Sequence, residues 1–286
     1  MAGFARVGGI ADAYDAGREV FASIRKVPSQ ASTAGWWVDL SMAAGNPPPN
    51  YYASSPLEAK ALDAYDGIYH GPDQGAASLH LHKLGLVTPT AALVGRYMLL
   101  DYLLYYPFVD ADAVGEVQTL DNGTAALTRY TDGAGVRVMA VAVTPSTGGG
   151  TFTFDYVNQD GVAKTSPAQA CATTAANIAT IVTSQQAVAN TPGGPFLALA
   201  SGDTGVRSIT SATFSVANGG LVALVLVKPI VDLAIREINT MAELHTVQCR
   251  PMPRVEHGAF LGLVLNCAGS VAAGTLAGYA HYVWSE

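Results

Sequence analysis

The sequence predicts a mainly β protein: an antiparallel β-sandwich, jelly-roll-like, with N-terminal helices and an extended N-terminal segment. Three observations predict it. Short β-rich runs recur at 117–120, 136–144, 151–157, 196–199, 206–216, 221–228, 259–265 and 279–284, separated by Gly, Asn, Asp and Pro turns. No long helical pattern alternates with them, which excludes a series of βαβ units. Thr151–Val157 alternates strictly, placing Phe152, Phe154 and Tyr156 on one face and Thr151, Thr153 and Asp155 on the other.

The elements follow in chain order. Residues 2–27 read as helical, with Ala13, Ala16, Val20, Phe21 and Ile24 near one stripe and Pro28 ending it. Residues 31–56 are irregular and aromatic-rich, holding Trp36, Trp37, Tyr51 and Tyr52 around three consecutive prolines that stiffen the backbone. This segment reads either as self-packed or as an arm docking on another chain, since Trp and Tyr are enriched among interface anchors. A short helix is expected over Pro56–Asp66, and an extended piece or a turn of helix over Leu79–Leu86. The nearly continuous apolar run from Thr90 to Tyr106 is long and rich in Ala, Leu and Met, which predicts a buried helix. Val136–Thr144 and Thr151–Val157 are expected to form a hairpin across Pro145–Gly150, with Asn158–Gly161 turning into a third strand. Asn218-Gly-Gly220 predicts a tight hairpin between the runs on either side. Ala168–Ala189 fits a helix or another strand pair, and Asp232–Leu244 a short helix or long loop. The expected division is an N-terminal helical and extended region, 1–115, including an arm at 1–56, and a β-sandwich body, 116–286.

Composition bounds the function. Of 286 residues, half are apolar and 13% are charged, against about 25% in a typical soluble chain. Interface cores are depleted in charge, so this balance predicts a homo-oligomer or assembly component. Fifteen Lys and Arg against 22 Asp and Glu give a net charge of −7 without a basic block, and no nucleic-acid partner is expected. The three cysteines, 171, 249 and 267, share no Cys-x-x-Cys spacing and read as reduced thiols. The N-terminus has no apolar signal-peptide core, and the apolar stretches fall short of the roughly 20 residues that span a bilayer, so no membrane is expected.

Candidate chemistry is sparse. His80 and His82 would share a face of a strand, but no further ligands stand at a telling spacing, and no metal is expected. Gly202-Asp-Thr-Gly205 has the tripeptide of an aspartic protease without the second loop that such chemistry needs; Asp203 reads as a turn residue capping backbone amides. Gly148–Gly150 lacks the Lys and helix of a phosphate cradle, no Gly-x-Ser-x-Gly elbow occurs, and nothing local activates Cys249 or Cys267. Asn122-Gly-Thr124 matches a glycosylation triplet, which a chain that is not exported would not use. No catalytic residue, cofactor or enzymatic activity is expected.

A set of phrases occurs in order along the chain: Gly45-Asn-Pro-Pro-Pro-Asn-Tyr-Tyr52, Leu100-Asp-Tyr-Leu-Leu-Tyr-Tyr-Pro107, Leu127-Thr-Arg-Tyr-Thr-Asp-Gly133, Tyr156-Val-Asn-Gln-Asp-Gly-Val162, Pro195-Phe-Leu-Ala-Leu199, Gly202-Asp-Thr-Gly-Val-Arg-Ser208 and Leu224-Val-Leu-Val-Lys-Pro229. From about residue 30 to Trp284 the set resembles a family of virion structural proteins of tailed double-stranded-DNA bacteriophages. The resemblance implies a virion protein made in the host bacterial cytoplasm, with the phage major capsid protein or other virion proteins as partners. A capsid decoration (cement) protein is the expected role; a head-tail collar or tail component, or a carbohydrate- or receptor-binding module, are the alternatives. The resemblance carries over no functional residues. Trp36, Trp37, Tyr51 and Tyr52 are the candidate contact residues of an N-terminal arm, whose removal with residues 1–56 is expected to leave a folded β body.

Overall fold

The computed structural model describes residues 4, 6–63, 66–72, 75, 77–185, 194–249 and 251–285. A single α-helix, α1 (Gly8–Asp15), precedes β1 (Glu19–Val27), β2 (Trp37–Asp39), β3 (Ala44–Asn46), β4 (Lys60–Ala61), β5 (Leu79–Val87), β6 (Gly95–Asp110), β7 (Gln118–Thr119) and β8 (Arg137–Ala142) among the described residues. There follow β9 (Thr151–Asn158), β10 (Ala163–Thr165), β11 (Gln169–Ala170), β12 (Val206–Phe214), β13 (Leu221–Ile235), β14 (Ala242–His245), β15 (Arg254–Val255), β16 (Phe260–Cys267) and β17 (Leu276–Trp284). The protein is mainly β, in three antiparallel sheets.

The first sheet runs β14-β5-β17-β1-β3, with β15 also on β5; the second runs β2-β16-β6-β13-β8, with β4 on β6; the third runs β10-β9-β12-β7, with β11 on β9. Residues 179–182 add a connection between the two ends of the second sheet. On one side Val38 bridges Thr180, with Asp39 N donating to the Ala179 carbonyl and Ile181 N to that of Trp37. On the other, Val141 bridges Ile181, while Ala142 N donates to the Thr180 carbonyl and Val182 N to that of Ala140. The second sheet is thereby closed into a barrel, which satisfies edge amides that would otherwise template aggregation.

This barrel wall is shared between two cores. Along β13, Val222, Leu224 and Leu226 belong to the core facing the third sheet, and Ala223, Val225 and Val227 to the core that also takes in the first sheet. β8 alternates likewise, Val138, Ala140 and Ala142 one way and Met139 and Val141 the other. Strands buried on both faces read as continuous apolar runs rather than as alternation.

That fact accounts for the largest correction. The buried helix expected over 90–106 is a 3₁₀ turn (Ala91–Leu93) followed by β6, a sixteen-residue strand whose residues Tyr97 and Leu99–Val109 are almost all buried. The helix expected over 2–27 is confined to α1, and β1 takes the remainder, its alternating burial placing Ala22, Ile24 and Lys26 inward; residues 2, 3 and 5 of that range lie outside the described residues. The helix expected at 56–66 is replaced by an extended segment with β4, residues 64 and 65 being outside the description. Residues 168–185 form β11 and the barrel-closing piece, and 186–189 are not described. Asp232–Leu244 is the end of β13, a turn and the start of β14. Residues 196–199 form no strand, although Leu197 N donates to the Val138 carbonyl.

Two expected hairpins are crossings between sheets. β8 lies in the second sheet and β9 in the third, so Pro145–Gly150 carries the chain across the core. Asn218–Gly220 likewise joins β12 of the third sheet to β13 of the second; Ala111 N donates to the Gly220 carbonyl and Asn218 N to that of Ala111. Gly219 and Gly220 both have positive φ, as a left-handed turn requires. The Asn158–Gly161 turn does join a true hairpin, β9 to β10, and Phe152, Phe154 and Tyr156 are buried together as the alternation predicts. The expected boundary at 115/116 runs through hydrogen-bonded sheets, since β6 lies between β13 and β16, and β17 between β1 and β5.

Candidate interaction surface

The expected arm is built into the body. Trp36 and Trp37 are 3% and 5% exposed and Tyr52 is wholly buried; Tyr51, at 57%, is the one of the four with its ring in solvent. Trp36 packs on Ala172 and Ala176. Trp37 lies in β2, and its carbonyl accepts from Ile181 at the barrel closure.

Asp39, at the end of β2, explains why the segment is held so firmly. Its buried carboxylate accepts from Ser41 N at 2.8 Å, from the Tyr102 hydroxyl at 2.7 Å and from the Tyr52 hydroxyl. Burial pushes its pKa up, and these hydrogen bonds pull it down. Lys26, inward on β1, donates to the carbonyls of Ala43 at 3.0 Å and Pro47 at 2.8 Å, and burial lowers its pKa to about 8. Residues 31–56 are therefore tied to both the first sheet and the barrel. Tyr51 stands beside a cleft of about 370 Å³, lined also by Pro28, Val38, Met42, Val143 and Ile178, over the seam where the barrel closes.

A buried ion pair anchors the loop after residue 127. Arg129 Nε and Nη2 donate to the Asp101 carboxylate at 3.0 and 2.9 Å, and Nη2 also to the Tyr102 carbonyl at 3.0 Å. Burial outweighs the guanidinium and raises the Asp101 pKa to about 6. The neighbouring Tyr130 adopts φ 49°, with Lys228 Nζ 5.1 Å from its ring centroid. Thr128–Asp132 with Glu256 and His257 enclose an open polar cleft of about 510 Å³.

A polar face lies on the first sheet. His245, Lys83, His281 and Phe21 form one row across β14, β5, β17 and β1, and Glu243, Gly85, Tyr279 and Ser23 form the next. A Cβ on Gly85 would fall 2.4 Å from the Tyr279 ring, so glycine there lets the ring cross the strand and its hydroxyl donate to Glu243. Glu243 also meets His245. Phe21 stacks on His281 at 3.8 Å, and His281 Nε2 lies 2.8 Å from Glu19. Tyr14 of α1 hydrogen-bonds His82 Nδ1, and the Phe4 ring is 5.5 Å from that of His80. The spacing of His80 and His82 marks them in the sequence but not their partners, because His281, Glu19 and Tyr14 are distant in the chain and no spacing links them. Among the described residues no group of three His, Cys, Asp or Glu is placed to hold a metal ion, and no helix is long and apolar enough to cross a membrane.

The remaining motif residues have structural partners. Asp203 accepts from the Tyr156 hydroxyl at 2.5 Å and from Asn158 Nδ2 at 2.8 Å, while Gln159 accepts from the amides of Thr204 and Gly205. The expected amide cap is thus supplied by Gln159, and Asp203 secures the turn to β9. Asn122 accepts from the Tyr106 hydroxyl at 2.6 Å and donates to the Ile209 carbonyl. Cys171 and Cys267 are buried, Cys249 is half-buried, and all three are free thiols.

No protein-family model matches the chain, and no curated protein matches it. A solved structure described as "Structure of infectious bursal disease virus Gt strain" is similar at 10% identity and a TM-score of 0.18, over 94% of this chain and 80% of that one. A likeness at that level says nothing of function.

Proposed function

We propose that this chain is a bacteriophage virion structural protein, acting as a capsid decoration protein that stabilises the head through subunit contacts. The observation that carries the reading is a mismatch between skin and body. A barrel wedged between two sheets makes a stiff body, yet only 13% of the chain is charged and large apolar side chains stand exposed at separate places. Tyr51 lies by the barrel seam, Phe21 on the first sheet, and Val114, Val117 and Val216 around the β7 edge of the third. Many modest apolar contacts multiplied by particle symmetry suit a cement role. The ordered sequence phrases that resemble tailed-phage virion proteins support the same reading. The jelly-roll-like description of the body is supported by the two places where successive strands change sheets instead of forming hairpins.

Purified virions test this by quantitative mass spectrometry of copy number. Copies in proportion to capsid subunits are expected. Absence from virions overturns the virion reading, and copies matching a single ring move the protein to the neck or tail. On the decoration reading, Tyr51→Ser leaves the fold intact and lowers occupancy on particles about tenfold, the loss of one aromatic anchor.

A further inference from the structure

We propose that α1 is a strap over the histidine-bearing face of the first sheet, and that protonation of His82 releases it. The helix has eight residues and begins with two glycines, too short to persist in water undocked. Its apolar hold is small: Ile10 and Ala13 are its buried residues. Its polar hold is Tyr14, whose hydroxyl hydrogen-bonds Nδ1 of His82. The Tyr14 ring also lies 5.5 Å from those of both His82 and His281.

What faces His82 determines what a proton there would meet. From α1 it faces Tyr14, from β17 His281, from its own strand Lys83, from β14 His245 and from β1 Glu19. The Asp12 and Asp15 residues of α1 are exposed, and Glu243 is engaged by His245 and Tyr279. Glu19 is the carboxylate that acts on His82, and it already accepts from His281 at 2.8 Å. A proton on His82 therefore sits buried beside two imidazoles and a lysine. Lifting α1 admits water and relieves it.

Burial first, then His281, Lys83 and His245, hold His82 at about 4, below its ordinary 6.5. The sign follows: the released state binds more protons between those values, so docking is favoured above pH 6.5 and weakens as pH falls toward 4. The docked-to-released ratio falls across that window by less than the roughly 300-fold that the two values alone would give, because His281, Lys83 and His245 stay beside His82 on the sheet. His281 is also held below its ordinary value by burial, but Glu19 compensates its charge, so His82 is the trigger.

Amide hydrogen exchange of the full chain, corrected for the intrinsic effect of pH, tests this between pH 7.5 and 4. Residues 8–16 are expected to lose protection with a midpoint inside the window, while 79–87 and 276–284 keep theirs. His82→Gln, folded at pH 7.5 by circular dichroism, is expected to keep the helix protected throughout. Glu19→Gln, read in any case and relied on if His82→Gln does not fold, is expected to move the midpoint to higher pH. Protection unchanged to pH 4, loss of helix and sheet together, a wild-type midpoint in His82→Gln, or an unmoved or lowered midpoint in Glu19→Gln each overturns the proposal.

Discussion

Replacing Arg129 by Met leaves Asp101 as a carboxylate with no counter-ion in a fully buried position. The guanidinium supplies two hydrogen bonds to that carboxylate and one to the Tyr102 carbonyl, with a longer one to Leu62 at 3.3 Å. Phe260 N, at 3.1 Å, then remains as a donor to the acid. Breaking a buried pair by removing one partner costs about 3–5 kcal/mol, a large part of the roughly 5–15 kcal/mol that holds a typical domain. The loss depends on pH in a determined direction. Asp101 already has its pKa raised to about 6 by burial, with Arg129 as the main opposing pull. Without Arg129 the value rises further. A carboxyl whose folded value exceeds its unfolded one contributes stability at low pH that disappears as pH rises through the folded value. The cost of Arg129→Met is therefore expected to be smaller at pH 5 than at pH 8. Urea denaturation at both values measures it, beside Asp101→Leu/Arg129→Met, in which both charges are gone. The double variant is expected to be less destabilised than the single. A single-variant cost below about 1 kcal/mol, equal costs at the two pH values, or a double variant worse than the single would each refute the reasoning.

Two further outcomes follow from the barrel and its seam. Tyr102→Phe removes one of the two tyrosine hydroxyls that hold Asp39 and is expected to cost about 1.5–3 kcal/mol in urea denaturation; because burial raises the Asp39 pKa and this hydroxyl opposes that, the cost should grow as pH rises through the folded value. Deleting residues 1–56 removes β1 and β3, which form one end of the first sheet beyond β17, and β2 from the barrel, so the truncated chain is expected to lose its near-ultraviolet circular dichroism and cooperative unfolding; a cooperatively folding truncation would show that those strands are dispensable.

Much of the local grammar is legible in the residues themselves. Thr151–Val157 alternates because one face of β9 is buried and the other half-exposed, and Gly161 and Gly219–Gly220 mark turns because their backbones take positive φ. The low charge and the apolar content establish a chain with much to bury. Two kinds of information are missing from that record. Strands covered on both faces lose their period-two signal, so β6 reads as a helix until its neighbours β13 and β16 are known. Turn residues specify a reversal of the chain but not which sheet it enters, so Asn218–Gly220 reads as a hairpin although it carries the chain between sheets. The aromatics at 36, 37, 51 and 52 show the same limit. Their chemistry suits an interface or a core equally, and only tertiary contacts decide that three of them are spent inside: Trp36 on Ala172 and Ala176, Trp37 in β2 at the barrel closure, and Tyr52 on the Asp39 carboxylate. The sequence by itself determined that this would be a β protein with a large apolar content. Tertiary structure decided which apolar residues face in, that the second sheet closes on itself, and that Tyr14, His82, His281 and Glu19 meet, because each depends on contacts between residues distant in the chain.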